Sequence, residues 1–252
     1  MTSPFSLQGR VALVTGANTG LGQAIAVALS QAGADIVAAG RSAPDETARM
    51  VTAVGRKLHA VSADFSTTEP IARVVEQAFA AAGRVDILVN NAGVIRRADS
   101  LDFTEDDWDV VMNTNLKTVF FLSQALARRW VAAGRGGKII NIASMLSFQG
   151  GLRVPSYAAA KSGLAGVTKT LCNEWAAKGI NVNAIAPGYF VSNNTEALRA
   201  DETRSRQIME RIPAGRWGQP EDLAGVAVFL ASKASDYMHG AIVPVDGGWL
   251  AR

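Results

Sequence analysis

Short runs of apolar residues alternate along the chain with longer stretches in which apolar residues recur every three or four positions. The short runs predict buried β-strands, and the longer stretches predict amphipathic helices. The predicted strands cover residues 11–14, 36–39, 58–62, 85–90, 138–143, 180–186 and 241–245. The predicted helices cover 21–31, 45–54, 68–82, 105–132, 156–178 and 221–231, and the polar segment that ends at Gln219 is expected to be helical in part.

This alternation predicts a doubly wound α/β protein of the Rossmann type. Strands that each lead into a helix are joined by crossovers, which make the sheet parallel and cover both of its faces with helices. Residues 11–14 and 87–89 are apolar throughout, as strands buried on both faces require. No linker, low-complexity segment or internal repeat divides the sequence, so we expect a single domain over residues 1–252.

A glycine-rich loop, Thr15-Gly-Ala-Asn-Thr-Gly-Leu-Gly22, connects the first predicted strand to the first helix. Glycine permits a tight turn and close approach of the backbone, and the free N–H groups at the start of a helix can bind a pyrophosphate. Such a loop alone is a weak signal, but its place in the first crossover of the sheet favours a dinucleotide site. The expected contacts are Gly16, Asn18, Thr19, Gly20, Leu21 and Gly22.

The spacing Gly-x-x-x-Gly-x-Gly resembles that of the short-chain dehydrogenase/reductase family, and three further motifs agree with that family. They are Asn-Asn-Ala-Gly at the end of the fourth strand, Asp64-Phe65 after the third and Pro187-Gly188 after the sixth. All follow carboxyl ends of strands, where open α/β sheets bind ligands. The resemblance places Asp64 against an adenine ring and the Pro187 segment along a nicotinamide. The remaining implied cofactor contacts are Phe65, Asn91, Ala92, Gly93, Gly188, Phe190 and Ser192.

The choice between NAD and NADP stays open in the sequence. The second strand is followed by Arg41-Ser42, without an acidic residue to bind a ribose 2′-hydroxyl. The planar guanidinium of Arg41 suits a 2′-phosphate, which favours NADP. Alternatively, Arg41 stacks on the adenine and serves NAD equally well, and the family branch that the chain resembles leans to NAD.

Four residues predict the chemistry. Tyr157 and Lys161 lie four apart at the start of a predicted helix, so their side chains share one face. A phenol with an ordinary pKa of about 10 is a poor base at neutral pH, and a nearby ammonium favours its ionised form. Ser144, which ends the fifth strand, can hydrogen-bond a substrate oxygen. With Asn115 these residues match the catalytic tetrad of the family, which implies that Asn115 holds a water relaying protons through Lys161.

Four longer segments, at 139–157, 183–189, 211–217 and 245–252, resemble the branch of this family that acts on sugar acids. That resemblance implies a hydride transfer between a nicotinamide cofactor and a deoxy sugar acid of the 2-deoxy-D-gluconate or 2-dehydro-3-deoxy-D-gluconate type, by a homotetramer. We expect Arg96 or Arg153 to bind the substrate carboxylate. Met145, Gln149 and Tyr157 are expected to line the substrate pocket. Arg199, Arg204 and Arg206 fall where the family carries a mobile lid.

Composition narrows the possible partners. The 25 basic and 22 acidic residues give a net charge of +3 and are scattered, which argues against nucleic acid. Cys172 is the single cysteine, and two histidines leave little for a metal site, so no metal is expected. The longest apolar stretches fall short of a membrane span of about 20 residues, and no leader pattern opens the chain. We therefore expect a cytoplasmic protein that binds no membrane.

Two other functions remain as alternatives. One is a 3-oxoacyl-thioester reductase, or another sugar or polyol dehydrogenase, with the same tetrad. The other is a nucleotide-binding regulator without activity, which the presence of both Tyr157 and Lys161 disfavours. A Ser-His-Asp hydrolase is disfavoured because neither His59 nor His239 lies near a nucleophile turn.

Overall fold

A computed structural model describes residues 3–252, which contain a seven-stranded parallel sheet. The strands are β1 Val11–Thr15, β2 Asp35–Gly40, β3 Leu58–Ser62, β4 Ile87–Asn90, β5 Gly137–Ile142, β6 Ile180–Pro187 and β7 Ile242–Val245. Their order is β3-β2-β1-β4-β5-β6-β7. The chain thus winds outward from β1 in one direction and from β4 in the other, and the predicted doubly wound fold is confirmed.

Nine α-helices accompany the sheet in the described residues. They are α1 Gly20–Gln31, α2 Asp45–Ala53, α3 Ile71–Ala82, α4 Glu105–Met112, α5 Thr118–Ala132, α6 Pro155–Trp175, α7 Glu196–Ala200, α8 Glu202–Arg211 and α9 Ala224–Ala231. One apolar core lies between the sheet and α1 and α9, and a second lies between the sheet and α3, α5 and α6. Neighbouring strand residues such as Ile139 and Ile140 belong to opposite cores because side chains alternate along a strand.

The predicted helix over 105–132 is wrong as a continuous element. Helices α4 and α5 are joined by a π-helical turn at Asn113–Lys117. The amide of Asn115 bonds the loop after β4 at both ends: Val94 N–H donates to its Oδ1 at 2.9 Å, and its Nδ2 donates to Val94 O at 2.8 Å. These side-chain bonds hold the wide turn against that loop. π-Helical turns of this kind often mark functional sites.

Three other predicted helices have different bounds. The helix predicted from residue 68 begins at Ile71, directly after Pro70, which lacks a backbone N–H. The helix predicted over 156–178 ends at Trp175 and continues as a 3₁₀ turn, Ala176–Lys178. The helix predicted from residue 221 begins at Ala224, after a 3₁₀ turn at Pro220–Leu223.

A buried carboxylate holds together the amino ends of the central strands. Asp86 is 3% exposed and accepts hydrogen bonds from Arg84 Nε at 2.8 Å, Arg135 Nη2 at 2.7 Å and Arg10 Nη1 at 3.4 Å. The backbone N–H of Val11 donates to the same carboxylate at 3.0 Å. These bonds connect β1, β4 and the turn before β5 at the edge opposite the strands' carboxyl ends.

Within residues 3–252, none of the helices combines the length and the apolar character that a membrane crossing needs.

Candidate active site

A cavity of about 460 Å³ opens at the carboxyl ends of the strands. Every residue predicted to contact the cofactor lines it: Gly16, Asn18, Thr19, Gly20, Leu21, Gly22, Arg41, Ser42, Asp64, Phe65, Asn91, Ala92, Gly93, Tyr157, Lys161, Pro187, Gly188, Phe190 and Ser192. Ser144 lines it as well. Val94 and the segment Asn193–Thr195 also border the cavity. They belong to none of the motifs recognised in the sequence, so they were not predicted.

The glycine-rich loop has a conformation that larger residues would not allow. Gly16 and Gly20 adopt φ angles of +66° and +58°, which are strained for residues with a Cβ. A Cβ added to Gly22 would collide with the carbonyl of Gly16. Helix α1 begins at Gly20, so its free N–H groups lie at the cavity. A cradle that side chains would fill, at the start of a helix, fits the pyrophosphate of a dinucleotide.

The Asn-Asn-Ala-Gly segment is attached to this loop through Thr15. The backbone N–H groups of Asn91 and Ala92 donate to Thr15 Oγ1 at 3.0 and 2.9 Å. The Asn91 side chain donates to Thr15 O at 2.9 Å and to Gly16 O at 3.1 Å. The two loops therefore form one hydrogen-bonded unit, which fixes the floor of the cavity between β1 and β4.

The residues after β2 and β3 form the end of the cavity where an adenosine would lie. Arg41 and Ser42 are exposed there. The backbone N–H of Ser66 donates to Asp64 at 2.9 Å, and this bond lowers the pKa of Asp64, with a smaller contribution from the charge of Arg41. Positive charge is thus available beside the position of a nucleotide ribose.

Lys161 and Tyr157 lie side by side on the first turns of α6. Lys161 is 4% exposed, its Nζ donates to Ile142 O at 2.5 Å, and burial lowers its pKa to about 8. The same Nζ lies 5.5 Å from the centre of the Tyr157 ring. Burial raises the pKa of Tyr157, while a hydrogen bond with Ser144 and the charge of Arg97 lower it. The arrangement can exchange a proton at the phenol oxygen, with Ser144 beside it.

Asn115 lies behind the cavity and does not line it. Its side chain is fully buried, and both ends of the amide are occupied by the backbone of Val94. Both its oxygen and its nitrogen are thus tied to the loop after β4. The relay that the sequence resemblance implies for Asn115 stays a prediction.

Only some of the residues that were predicted to contact the substrate line the cavity. Arg96 lines the cavity, but its Nε is paired with Asp107 Oδ1 at 3.0 Å. Met145, Gln149 and Arg153 do not belong to the lining of this cavity, so their contact with the substrate stays a prediction. Met145 is 5% exposed and packs into an apolar cluster beside the cavity because its neighbours there are apolar.

Arg153 has the one positive φ, +62°, of any non-glycine residue in the described chain. Its carbonyl accepts a hydrogen bond from Ala98 N at 3.2 Å. A left-handed conformation costs about 1 kcal/mol or more for such a residue. This bond ties the loop before α6 to the loop that follows Asn-Asn-Ala-Gly.

Arg97 is a candidate that sequence reasoning missed. Its Nη2 donates to Asn194 O at 2.8 Å, which ties the loop after β4 to the segment before α7. Desolvation lowers the pKa of Arg97, and its charge lowers the pKa of both Tyr157 and Tyr189. Arg97 is next to Arg96 in the chain, and the order of residues alone does not tell which of the two faces the phenol. The available signal was the Arg-Arg pair itself.

A doubly wound sheet with a glycine-rich nucleotide loop and a Ser-Tyr-Lys group at its carboxyl edge defines a nucleotide-dependent oxidoreductase. A family model described as enoyl-(acyl carrier protein) reductase matches residues 16–250. The chain is 61% identical over 248 residues to 2-dehydro-3-deoxy-D-gluconate 5-dehydrogenase of Dickeya dadantii, with 98% of each chain covered. It is 61% identical over 250 residues to the enzyme of the same name in Escherichia coli, with 99% of each covered.

A solved structure gives the same result. A putative 2-deoxy-D-gluconate 3-dehydrogenase of Agrobacterium tumefaciens, with bound NADP, is 64% identical and superposes with a TM-score of 0.94 over 100% of both chains. The chain belongs to the short-chain dehydrogenase/reductase family.

Proposed function

We propose that this protein is an NAD(P)-dependent dehydrogenase that interconverts a hydroxyl and a ketone on a deoxy sugar acid. The observation that carries the proposal is the convergence of Ser144, Tyr157 and buried Lys161 on one cavity with the glycine-rich loop. The substrate class is supported by relatives that share about three fifths of the sequence over nearly its whole length and are named for 2-dehydro-3-deoxy-D-gluconate.

The phenol of Tyr157 is the group that moves the proton. In oxidation it accepts the proton of the substrate hydroxyl, and in reduction it returns a proton to the carbonyl oxygen. The nicotinamide, when bound, accepts or supplies the hydride. The charge of Lys161, 5.5 Å from the ring centre, favours the phenolate, and Ser144 hydrogen-bonds the substrate oxygen. In the same proposal, Asn115 holds a water that relays protons through Lys161, as the family resemblance implies.

Arg97 binds the substrate carboxylate in this proposal. Its charge lowers the pKa of Tyr157 although Arg97 lies outside the cavity lining, whereas the guanidinium of Arg96 is already paired with Asp107. A guanidinium binds a carboxylate through two parallel hydrogen bonds, so it also orients the substrate. Arg153 provides a second positive charge four residues before Tyr157.

Arg41 and Ser42 are proposed to accommodate the 2′-phosphate of NADP. They are exposed at the cavity, and no carboxylate follows β2 that would repel the phosphate and bind the 2′-hydroxyl of NAD. The bound NADP of the Agrobacterium relative supports this assignment. NAD is the alternative cofactor, in which case Arg41 stacks on the adenine instead.

The assembly and location are part of the same proposal. Residues 1–252 form a single catalytic domain that assembles into a homotetramer in the cytoplasm, where nicotinamide nucleotides are available. Exposed aromatic residues on α4 and α5, Trp108 and Phe121, are each 40% exposed and offer apolar surface for subunit contact. Light scattering coupled to size-exclusion chromatography tests the tetramer.

A substrate panel tests the function. Absorbance of the reduced nicotinamide is followed with deoxy sugar acids, the corresponding neutral sugars and 3-oxoacyl thioesters. We expect turnover of the sugar acids, and activity on acyl thioesters alone would overturn the proposal. Arg97→Ala should lower kcat/KM on the acid by about 10- to 100-fold more than on the neutral sugar, because the accompanying rise in the pKa of Tyr157 affects both substrates alike. Arg96→Ala is the matched control and should change both by less than about threefold.

A further inference from the structure

The last residues of the chain fold back onto the segments that follow Ser144 and Pro187, where the proposed function places the substrate. Gly247 and Gly248 adopt φ angles of +63° and +92° after β7 and reverse its direction. The carboxylate of Asp246 accepts from the backbone N–H groups of Gly248 and Leu250, each at 2.9 Å. This turn buries Trp249, which is 5% exposed. The position of the indole is therefore determined by backbone hydrogen bonds as well as by its packing.

Trp249 contacts three segments that surround the substrate end. Its ring lies 4.7 Å from that of Tyr189, which follows the Pro187 segment, and the two rings meet edge to face. It shares an apolar cluster with Met145, the neighbour of Ser144. Ile208 of α8 belongs to this cluster as well. The guanidinium carbon of Arg211 lies 3.9 Å from the centre of the indole ring.

The indole also makes one hydrogen bond to a side chain. Trp249 Nε1 donates to Gln149 Oε1 at 3.3 Å. An indole N–H can only donate, so the amide must present its oxygen to Trp249 and its NH₂ group in the other direction. Among residues 3–252, the Nε2 atom of Gln149 has no hydrogen-bond partner. Gln149 is half-buried and lies outside the cavity lining, and its amide nitrogen is thus left free on the segment that carries Ser144.

We propose that Trp249 is a positioning residue that fixes the amide of Gln149 so that its NH₂ group donates to a carboxylate or hydroxyl oxygen of the bound sugar acid. This inference rests on the proposed function and adds a specificity determinant to it. Without the indole N–H, the amide can rotate and present its oxygen, which would face the electron-rich oxygens of the substrate. The tail of the chain then acts on substrate affinity through Gln149, without touching the reacting atoms.

Steady-state kinetics of four variants with the deoxy sugar acid test the proposal. Trp249→Phe keeps the aromatic packing and removes the N–H, and it should raise KM by about three- to tenfold with kcat within about twofold. Gln149→Ala should raise KM by about tenfold. The double variant should match Gln149→Ala within about twofold, because no amide is left to orient. Trp217→Phe is the matched control, since Trp217 packs on the same Tyr189 at 5.4 Å, and it should leave KM within about twofold.

The outcomes separate a positioning role from a merely structural one. If the KM effects of Trp249→Phe and Gln149→Ala multiply in the double variant, Trp249 acts through packing and the proposal is wrong. A fifth variant, Gln149→Glu, keeps an acceptor for the indole but replaces the donor with a negative oxygen. It should raise KM for the acid by about tenfold more than Gln149→Ala does. If Trp249→Phe does not fold, the comparison of Gln149→Glu with Gln149→Ala tests the proposal. Equal KM values for these two variants would overturn it.

Failure of the proposed function gives a different result. In that case the wild-type protein turns over no sugar acid at all, and the positioning role falls with it. If the wild-type protein is active but Trp249→Phe has an unchanged KM, only the role of Trp249 is refuted.

Discussion

Lys161→Met is expected to abolish activity and yet to make the unliganded protein more stable at neutral pH. Lys161 is 4% exposed, and burial lowers its pKa from 10.5 to about 8. The unfolded chain therefore binds the proton more strongly than the folded protein does. Below the folded pKa, this preference destabilises the folded state, and the effect fades as the pH rises from 8 towards 10.5.

The magnitude follows from the two pKa values. Since one pKa unit corresponds to about 1.4 kcal/mol, the charged lysine lowers the free energy of unfolding by about 3 kcal/mol at pH 7. The hydrogen bond from Lys161 Nζ to Ile142 O returns about 1 kcal/mol to the wild-type protein. Methionine fills a similar volume without a charge, so the variant should gain about 2 kcal/mol at pH 7. At pH 10 the penalty in the wild-type protein falls to about 1 kcal/mol, and the difference should vanish.

Urea unfolding of both proteins at pH 7 and pH 10 measures this difference. Nucleotide is removed beforehand and the protein concentration is held constant, because ligand binding and subunit association also stabilise the folded state. Comparing variant with wild type cancels the titration of all other groups that the substitution leaves unchanged. A variant that is less stable at pH 7, or a difference that does not change with pH, would refute the reasoning.

Three further predictions concern the candidate site and the sheet. Tyr157→Phe should lower kcat by about 10²- to 10⁴-fold with nearly unchanged nucleotide affinity by fluorescence titration, because it removes the proton-transfer group; a kcat within tenfold of wild type would contradict its role. Arg41→Leu should raise KM for NADP by about 10- to 100-fold and leave that for NAD within about threefold; equal losses with both would indicate stacking on the adenine instead. Asp86→Asn should lower the free energy of unfolding by about 1–3 kcal/mol, measured in urea, because it removes the charge that three half-exposed arginines share. An unchanged free energy of unfolding would show that the charge of Asp86 does not stabilise the fold.

The fold was predictable because its signals are local. Apolar runs without alternation mark strands covered on both faces, and the glycine loop needs a conformation that few other residues adopt. Strands that each lead into a helix predict a parallel sheet. Because the carboxyl ends of parallel strands meet at one edge, motifs far apart in the chain could be assigned to one nucleotide site. All of the predicted cofactor contacts line one cavity.

The substrate end was less predictable because it depends on contacts between distant residues. Gln149 and Trp249 lie 100 positions apart, and their hydrogen bond forms only after the tail turns back at Gly247 and Gly248. Likewise, the choice between Arg96 and Arg97 depends on where each side chain finds a partner. Asp107 pairs with the first and the Asn194 carbonyl with the second.

By itself, the sequence determined the parallel sheet, the edge at which the predicted cofactor contacts meet and the residues that line the cavity there. Hydrophobic periodicity and the conformational needs of glycine are properties of short segments, so they can be recognised without coordinates. Tertiary structure alone decided the break in the helix at Asn113–Lys117, the burial that lowers the pKa of Lys161 and the arginine whose charge lowers the pKa of Tyr157. Each of these depends on which distant groups pack around a side chain, and that packing determines its hydration, its hydrogen bonds and its charge.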